Sequence, residues 1–277
     1  MLGYVCKYTP MELFEAMDTE ITRLEPSVTD FNHADTLMHA NICSYTKAVL
    51  EDVMEHDYEG VILTTCCDSI RRLYDTLKSQ FPDKFFFLLD IPRKFNDFAV
   101  ALYERQLKQM LTEYEAFSGK TLDLKRFVSM MQNKAALKKQ ENTRMSASAV
   151  SEKGNGQKLN IGIMGARCNN EIRQLLVDRG ANLLFDLTCT GLARDFSITE
   201  DQVLHSYAAA LLNQIPCMRM LKAANREHFL DGFTDRLDGI IYHTVKFCDS
   251  YSYEYADFRQ RLDLPILLVE TDATRQC

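Results

Sequence analysis

Val61-Ile62-Leu63-Thr64-Thr65-Cys66-Cys67-Asp68-Ser69-Ile70-Arg71-Arg72 is the stretch whose reading sets the fold. Val61 to Leu63 form a short apolar run after Gly60, the pattern of a buried strand. Asp68 or Ser69 offers a cap for a helix continued by Ile70, Leu73, Tyr74 and Leu77. Cys66 and Cys67 then sit at the carboxyl end of that strand. Open α/β sheets bind ligands at that edge, and the amino terminus of a following helix favours a thiolate. The competing reading is that one cysteine packs as a small hydrophobe and the other is incidental.

Downstream, Phe81-Pro82-Asp83 marks a turn and Phe85 to Ile91 a second apolar strand, so a helical crossover joins two parallel strands. Pro92-Arg93-Lys94 leaves that second strand end, where both cations are candidates to meet a phosphate or carboxylate, with solvation or ion pairing the favoured reading. Long helices are predicted from Asp97 to about Phe117 and from Leu122 to about Gln140. Upstream, Thr9-Pro10-Met11-Glu12 fits a capping box just after Cys6, and residues 34 to 55 read as one helix containing Cys43.

Residues 143–158 are small, polar and glycine-bearing, the composition of a linker between lobes at 1–142 and 159–277. The pattern then restarts, with strands predicted over 159–164, 183–187, 239–244 and 266–269. Helices fall over 171–179, 200–212, 216–231 and 253–262. The expected class is α/β, with two lobes each built on a parallel sheet. Cys168, Cys189 and Cys248 follow strands just as Cys66 and Cys67 do, so two facing sheets would gather these thiols into one cleft.

At 277 residues, 46% hydrophobic and 26% charged, the chain has the composition of a globular protein of one or two domains. A net charge of -7 argues against a broad nucleic-acid surface. No leader and no run of about 18 apolar residues is present, so a cytoplasmic protein without a membrane partner is expected. Nine cysteines, an odd number, do not suggest a disulfide framework. No Cys-x-x-Cys pair occurs, and none of His33, His39, His56, His205, His228 and His243 is spaced as a zinc partner. Thiolates drawn from scattered loops suit an iron-sulfur cube. Asp68, Asp249, Glu270 and Asp272 lie near the expected cleft as candidate acids or bases, although capping accounts equally for Asp68 and Asp249. Gly162 and Gly165 do not make a dinucleotide fingerprint, so no nicotinamide cofactor is expected.

Six segments, read together, resemble the 2-hydroxyacyl-CoA dehydratase family: residues 3–13, Asn41 to Tyr45, Thr64 to Ser69, Phe87 to Lys94, Lys246 to Asp249 and Leu268 to Asp272. That family holds the cluster-bearing subunits of 2-hydroxyglutaryl-CoA dehydratase and benzoyl-CoA reductase, and the double-cubane cluster proteins. The resemblance implies two flavodoxin-like, Rossmann-like lobes with a cluster in the cleft between them. Cys43, Cys67 and Cys248 stand at the positions of ligands to a 4Fe-4S cube. It also implies an ATP-dependent iron-sulfur activator as electron donor, an acyl-CoA or small-molecule substrate, and a homodimer or a heterodimer with a paralogous subunit. The electron would serve radical dehydration of a 2-hydroxyacyl-CoA or reduction of a small molecule.

Cys66, Cys168 and Cys189 raise the ligand count to six, the number a double-cubane 8Fe-9S cluster takes. Cys6 is an alternative to Cys66, and Cys217 and Cys277 are read as structural or incidental. The chain ends soon after Asp272, where many relatives continue with a helical tail, which bears on carry-over of CoA-ester binding. The alternatives are a non-catalytic iron-sulfur electron carrier and a cluster-free relative whose thiols bind zinc or simply pack.

Overall fold

The computed structural model describes residues 1–148, 158–168, 170–189, 198–220 and 229–274. Two four-stranded sheets carry the chain, and every strand is parallel to its neighbours. In the first, β1 (Leu2–Tyr4), β2 (Ile21–Arg23), β3 (Gly60–Thr64) and β4 (Phe85–Leu89) lie in the order β2-β1-β3-β4. The second holds β5 (Asn160–Gly165), β6 (Asn182–Thr188), β7 (Gly239–Val245) and β8 (Ile266–Thr271) in the order β6-β5-β7-β8. Each lobe thus uses its strands in the same sequence, second, first, third, fourth. The α/β class with two lobes holds.

Parallel neighbours need crossovers, which helices supply. In the first lobe they are α1 (Met11–Ala16), α2 (Asn32–Leu37), α3 (Ser44–Glu55) and α4 (Asp68–Gln80), while α5 (Asp97–Ser118) and α6 (Leu124–Ser148) lie between the two sheets in the chain. The second half adds α7 (Asn170–Asp178), α8 (Val203–Leu212) and α9 (Asp249–Arg261). The apolar run at 61–63 is buried on both faces of its sheet. Val61 and Leu63 pack with α3 and α4 residues such as Val49 and Leu73, whereas Ile62 joins Phe14, Tyr103 and Leu107 on the other side. A strand covered on both faces has no polar alternation to show.

Five local expectations need correction. Residues 34–55 are two helices rather than one: α2 stops at Leu37, Met38 is extended, and Cys43 is the N-cap of α3 instead of lying within a helix. Cys67, rather than Asp68 or Ser69, is the N-cap of α4. The capping box expected at Thr9 does not form, since Pro10 is the N-cap of α1 and no side chain caps it; the strands β1 and β2, three residues each, are too short for periodicity to mark. Finally, α6 runs on to Ser148, past its expected end near 140. The helix expected over 216–231 lies in large part outside the described residues, as does Cys277.

One crossing ties the lobes together. Tyr207, Ala208, Leu211 and Leu212 of α8 are buried in the core of the first lobe, among Tyr103, Leu107 and Phe127. The Tyr207 ring meets Phe127 edge-on at 5.1 Å, and its hydroxyl donates to Glu12. Burying side chains of this size stabilises by about 1.5–3 kcal/mol each. A helix from the second half of the sequence therefore completes the packing of the first. Among the described residues no helix is long and apolar enough to cross a membrane.

Candidate functional site

The strand ends of both sheets meet at one cavity of about 130 Å³. Among the described residues seven cysteines line it: Cys6, Cys43, Cys66, Cys67, Cys189, Cys217 and Cys248. Of the six expected ligands, five are present there; Cys168 is not. It is buried instead beside a second cavity of about 770 Å³ that also touches Glu25, Glu171, His243, Glu270 and Asp272. The thiol of Cys168 is pushed up to about 11 by burial, against the nearby Arg173 cation. Cys6 and Cys217, one weighed as an alternative and the other read as structural, both face the thiol cavity. Cys6 follows β1, so it is a strand-end residue once that strand is recognised. Cys217 follows α8, where no strand announces it.

Helix geometry singles out three of the seven. Cys43, Cys67 and Cys248 are the N-cap residues of α3, α4 and α9, helices of 12, 13 and 13 residues. Their sulfurs stand where Ser or Asp usually sits, near unpaired amides and the positive end of a helix dipole. Cys43 shows the effect: its thiol is drawn down to about 7 by a hydrogen bond from Cys248, aided by the backbone N–H groups of Thr46 and Tyr45 and opposed by burial. Cys248 is driven far up by the same bond, by burial and by the Cys43 charge. The pair comes from opposite lobes, and the bond between them moves the two thiols in opposite directions.

The remaining thiols crowd one another. Cys6 is raised by its hydrogen bond with Cys66, then by burial and the Cys66 charge. Cys66 is lowered by the Cys6 thiol but raised more by its bond to Cys67 together with burial. Burial and then the Cys217 charge push Cys189 up to about 12, although its thiol lies 2.8 Å from the Tyr251 hydroxyl. Several thiolates cannot share this confined space without compensating positive charge.

Cations and lobe contacts frame the cavity. Arg167, just past β5, stacks on Tyr45 at 4.2 Å and donates across the cleft to the carbonyls of Leu24 and Val5. Tyr45 donates to the same Leu24 carbonyl at 3.0 Å. Ser44 N–H donates to Lys246 O at 3.1 Å, and Lys7 donates to Ile215 O. Arg219 lines the wall as a third cation. Phe247, immediately before Cys248, is in the left-handed region at φ +64°. Such backbone is costly for a residue with a Cβ and clusters at functional sites.

Among the expected acids and bases, Asp68 is exposed and Glu270 and Asp272 belong to the second cavity. Asp249 is exposed at the start of α9. Arg93 and Lys94 are exposed, as expected.

The donor set admits a polynuclear sulfur-ligated core. Among the described residues no three His, Cys, Asp or Glu side chains close on a single metal ion. The thiols instead border a space, as ligands to a many-atom centre must, and among the described residues they are soft donors without a carboxylate beside them.

A search of curated proteins found no match. A family model for the 2-hydroxyglutaryl-CoA dehydratase D-component matches residues 6–143 and 128–276, which takes in both walls of the cavity. Through that match the chain is a dehydratase-type enzyme component, and it belongs to the 2-hydroxyglutaryl-CoA dehydratase D-component family.

Proposed function

We propose that the chain is the iron-sulfur component of a 2-hydroxyacyl-CoA dehydratase-type system, charged by an ATP-dependent iron-sulfur activator. The observation that carries this reading is the convergence of seven cysteines from both lobes on one cavity, three of them as helix N-caps. Cys43, Cys67 and Cys248 would hold a 4Fe-4S core. Cys6, Cys66, Cys189 and Cys217 are enough further thiols to ligate a second, as in an 8Fe-9S double cubane. A cluster bound here supplies single electrons at low potential, chemistry that belongs to the cofactor.

The chain's own part is to seat and shield. Val5, Ile70, Met218 and Val245 make an apolar wall that keeps water from the thiols, and Arg167 holds the lobes together over them. The second cavity shares Tyr45, Arg167 and Val245 with the first, which makes it the entry we assign to substrate. Its wall sets Glu25, Glu171, Glu270 and Asp272 against Arg167 and Lys246. This balance disfavours the polyanionic nucleotide end of CoA inside it, so a small substrate or the acyl end alone would enter.

A second reading, a non-catalytic electron carrier, is favoured by the size of the thiol cavity, which leaves little room beside a cluster. Anaerobic purification with iron and sulfide counts and EPR tests the shared premise. About four irons per chain mean one cube and about eight the double form. An iron-free chain with bound zinc would overturn the proposal. Turnover of a 2-hydroxyacyl-CoA with activator and ATP then separates enzyme from carrier.

A further inference from the structure

The cavity wall is electrostatically one-sided. Among the described residues three cations line it, Lys7, Arg167 and Arg219, and no Asp or Glu does. Lys7 reaches the Ile215 carbonyl, and the guanidinium of Arg167 is taken up by Val5, Leu24 and Tyr45. Arg219 differs. It sits in the turn after α8 that is closed by Met220 N–H on Cys217 O at 3.0 Å. Its Nη2 donates to Ile91 O at 2.6 Å, just beyond the carboxyl end of β4. Nε and Nη1 are buried and meet no acceptor among the described residues.

A guanidinium never gives up its charge in a protein and carries five N–H donors, so buried orphan donors call for an acceptor. Anionic sulfur is the acceptor chemistry of this cavity. We propose that Arg219 is a positioning residue for the inorganic core: it donates N–H···S bonds to the sulfurs and raises the reduction potential of the centre. This rests on the iron-sulfur reading above. The anchor at Ile91 fixes the guanidinium from the first lobe's sheet, so its charge stays in place when the core gains an electron. A fixed positive charge with N–H donors favours the more negative, reduced state.

The test compares the wild-type chain with Arg219→Met and Arg219→Lys, purified anaerobically. Iron and sulfide are counted, and the midpoint is read by EPR-monitored redox titration. Arg219→Met should keep its iron, while the ratio of reduced to oxidised centre at a fixed solution potential falls about tenfold, equivalent to about 59 mV for one electron. Arg219→Lys, which keeps the charge but loses the fork, should recover part of that shift.

An iron-replete Arg219→Met with an unchanged or higher midpoint overturns the role of Arg219 and leaves the cluster reading standing. Loss of iron from both variants, with circular dichroism and thermal unfolding like the wild type, also overturns it, because Arg219 would then serve assembly. A wild-type chain without iron overturns both.

Discussion

The ends of β3 and β5 began as equivalent positions. Each is a central parallel strand with cysteine just beyond its carboxyl end, yet Cys66 and Cys67 line the thiol cavity and Cys168 does not. The loops differ. After β3 only Thr65 intervenes, and Cys67 becomes the N-cap of α4. After β5 the chain bends at Gly165, whose φ of +106° few other residues adopt, and a Cβ there would fall 2.1 Å from the His243 carbonyl oxygen. That bend presents Ala166 and Arg167 to the cleft and passes Cys168 to the far side. A strand end brings a residue to the ligand edge, but the turn that follows decides which space its side chain enters.

The largest expected effect breaks the comparison directly. Cys67→Ser and Cys248→Ser should each lose most of the bound iron, while Cys168→Ser keeps the wild-type count. Iron and sulfide analysis of the three variants checks it, and equal retention would make strand-end position irrelevant. Next, Gly165→Ala should destabilise by about 3–4 kcal/mol in urea unfolding, because it forces both a left-handed φ and a backbone clash. An alanine tolerated at that position would mean that the bend does not steer Cys168.

His243 borders the Cys168 side, and burial pulls its imidazole from 6.5 down to about 4. The unfolded chain takes up this proton below about pH 6.5, whereas the folded chain resists until about pH 4. Stability from the neutral ring is therefore complete above about 6.5 and declines as the pH falls towards 4. The difference amounts to roughly 3 kcal/mol. His243→Gln should flatten that part of the stability-versus-pH profile. The smallest effect belongs to the cleft side: Arg167→Ala loses its bonds to Leu24 and Val5 and its stacking on Tyr45. A loss of about 2 kcal/mol is expected, read by thermal unfolding of the iron-free chain.

Much of this arrangement was legible from local chemistry. Val61-Ile62-Leu63 and Phe85-Phe86-Phe87 are long enough, and buried enough on both faces, to declare parallel strands, and Cys66 and Cys67 behind the first of them marked an edge. What escaped depended on contacts distant in sequence. Leu2–Tyr4 is a strand because Ile21–Arg23 and Gly60–Ile62 pair with it, which hid the strand-end status of Cys6. Helix α3 begins at Ser44 because the Ser44 N–H is held by Lys246 in the other lobe, and no window around 34–55 contains that partner. Cys217 and Arg219 reach the cavity only because α8 packs on α5 and on the first lobe's core, a preference its own residues do not encode.

That borrowed helix also changes how the two halves depend on each other. Scission of the polypeptide between residues 149 and 157 should leave fragments that stay associated through a native gel, because the downstream piece plugs a hole in the upstream one. Expressed alone, the upstream fragment would present the bare seat of Tyr207 and Leu211 to water and aggregate.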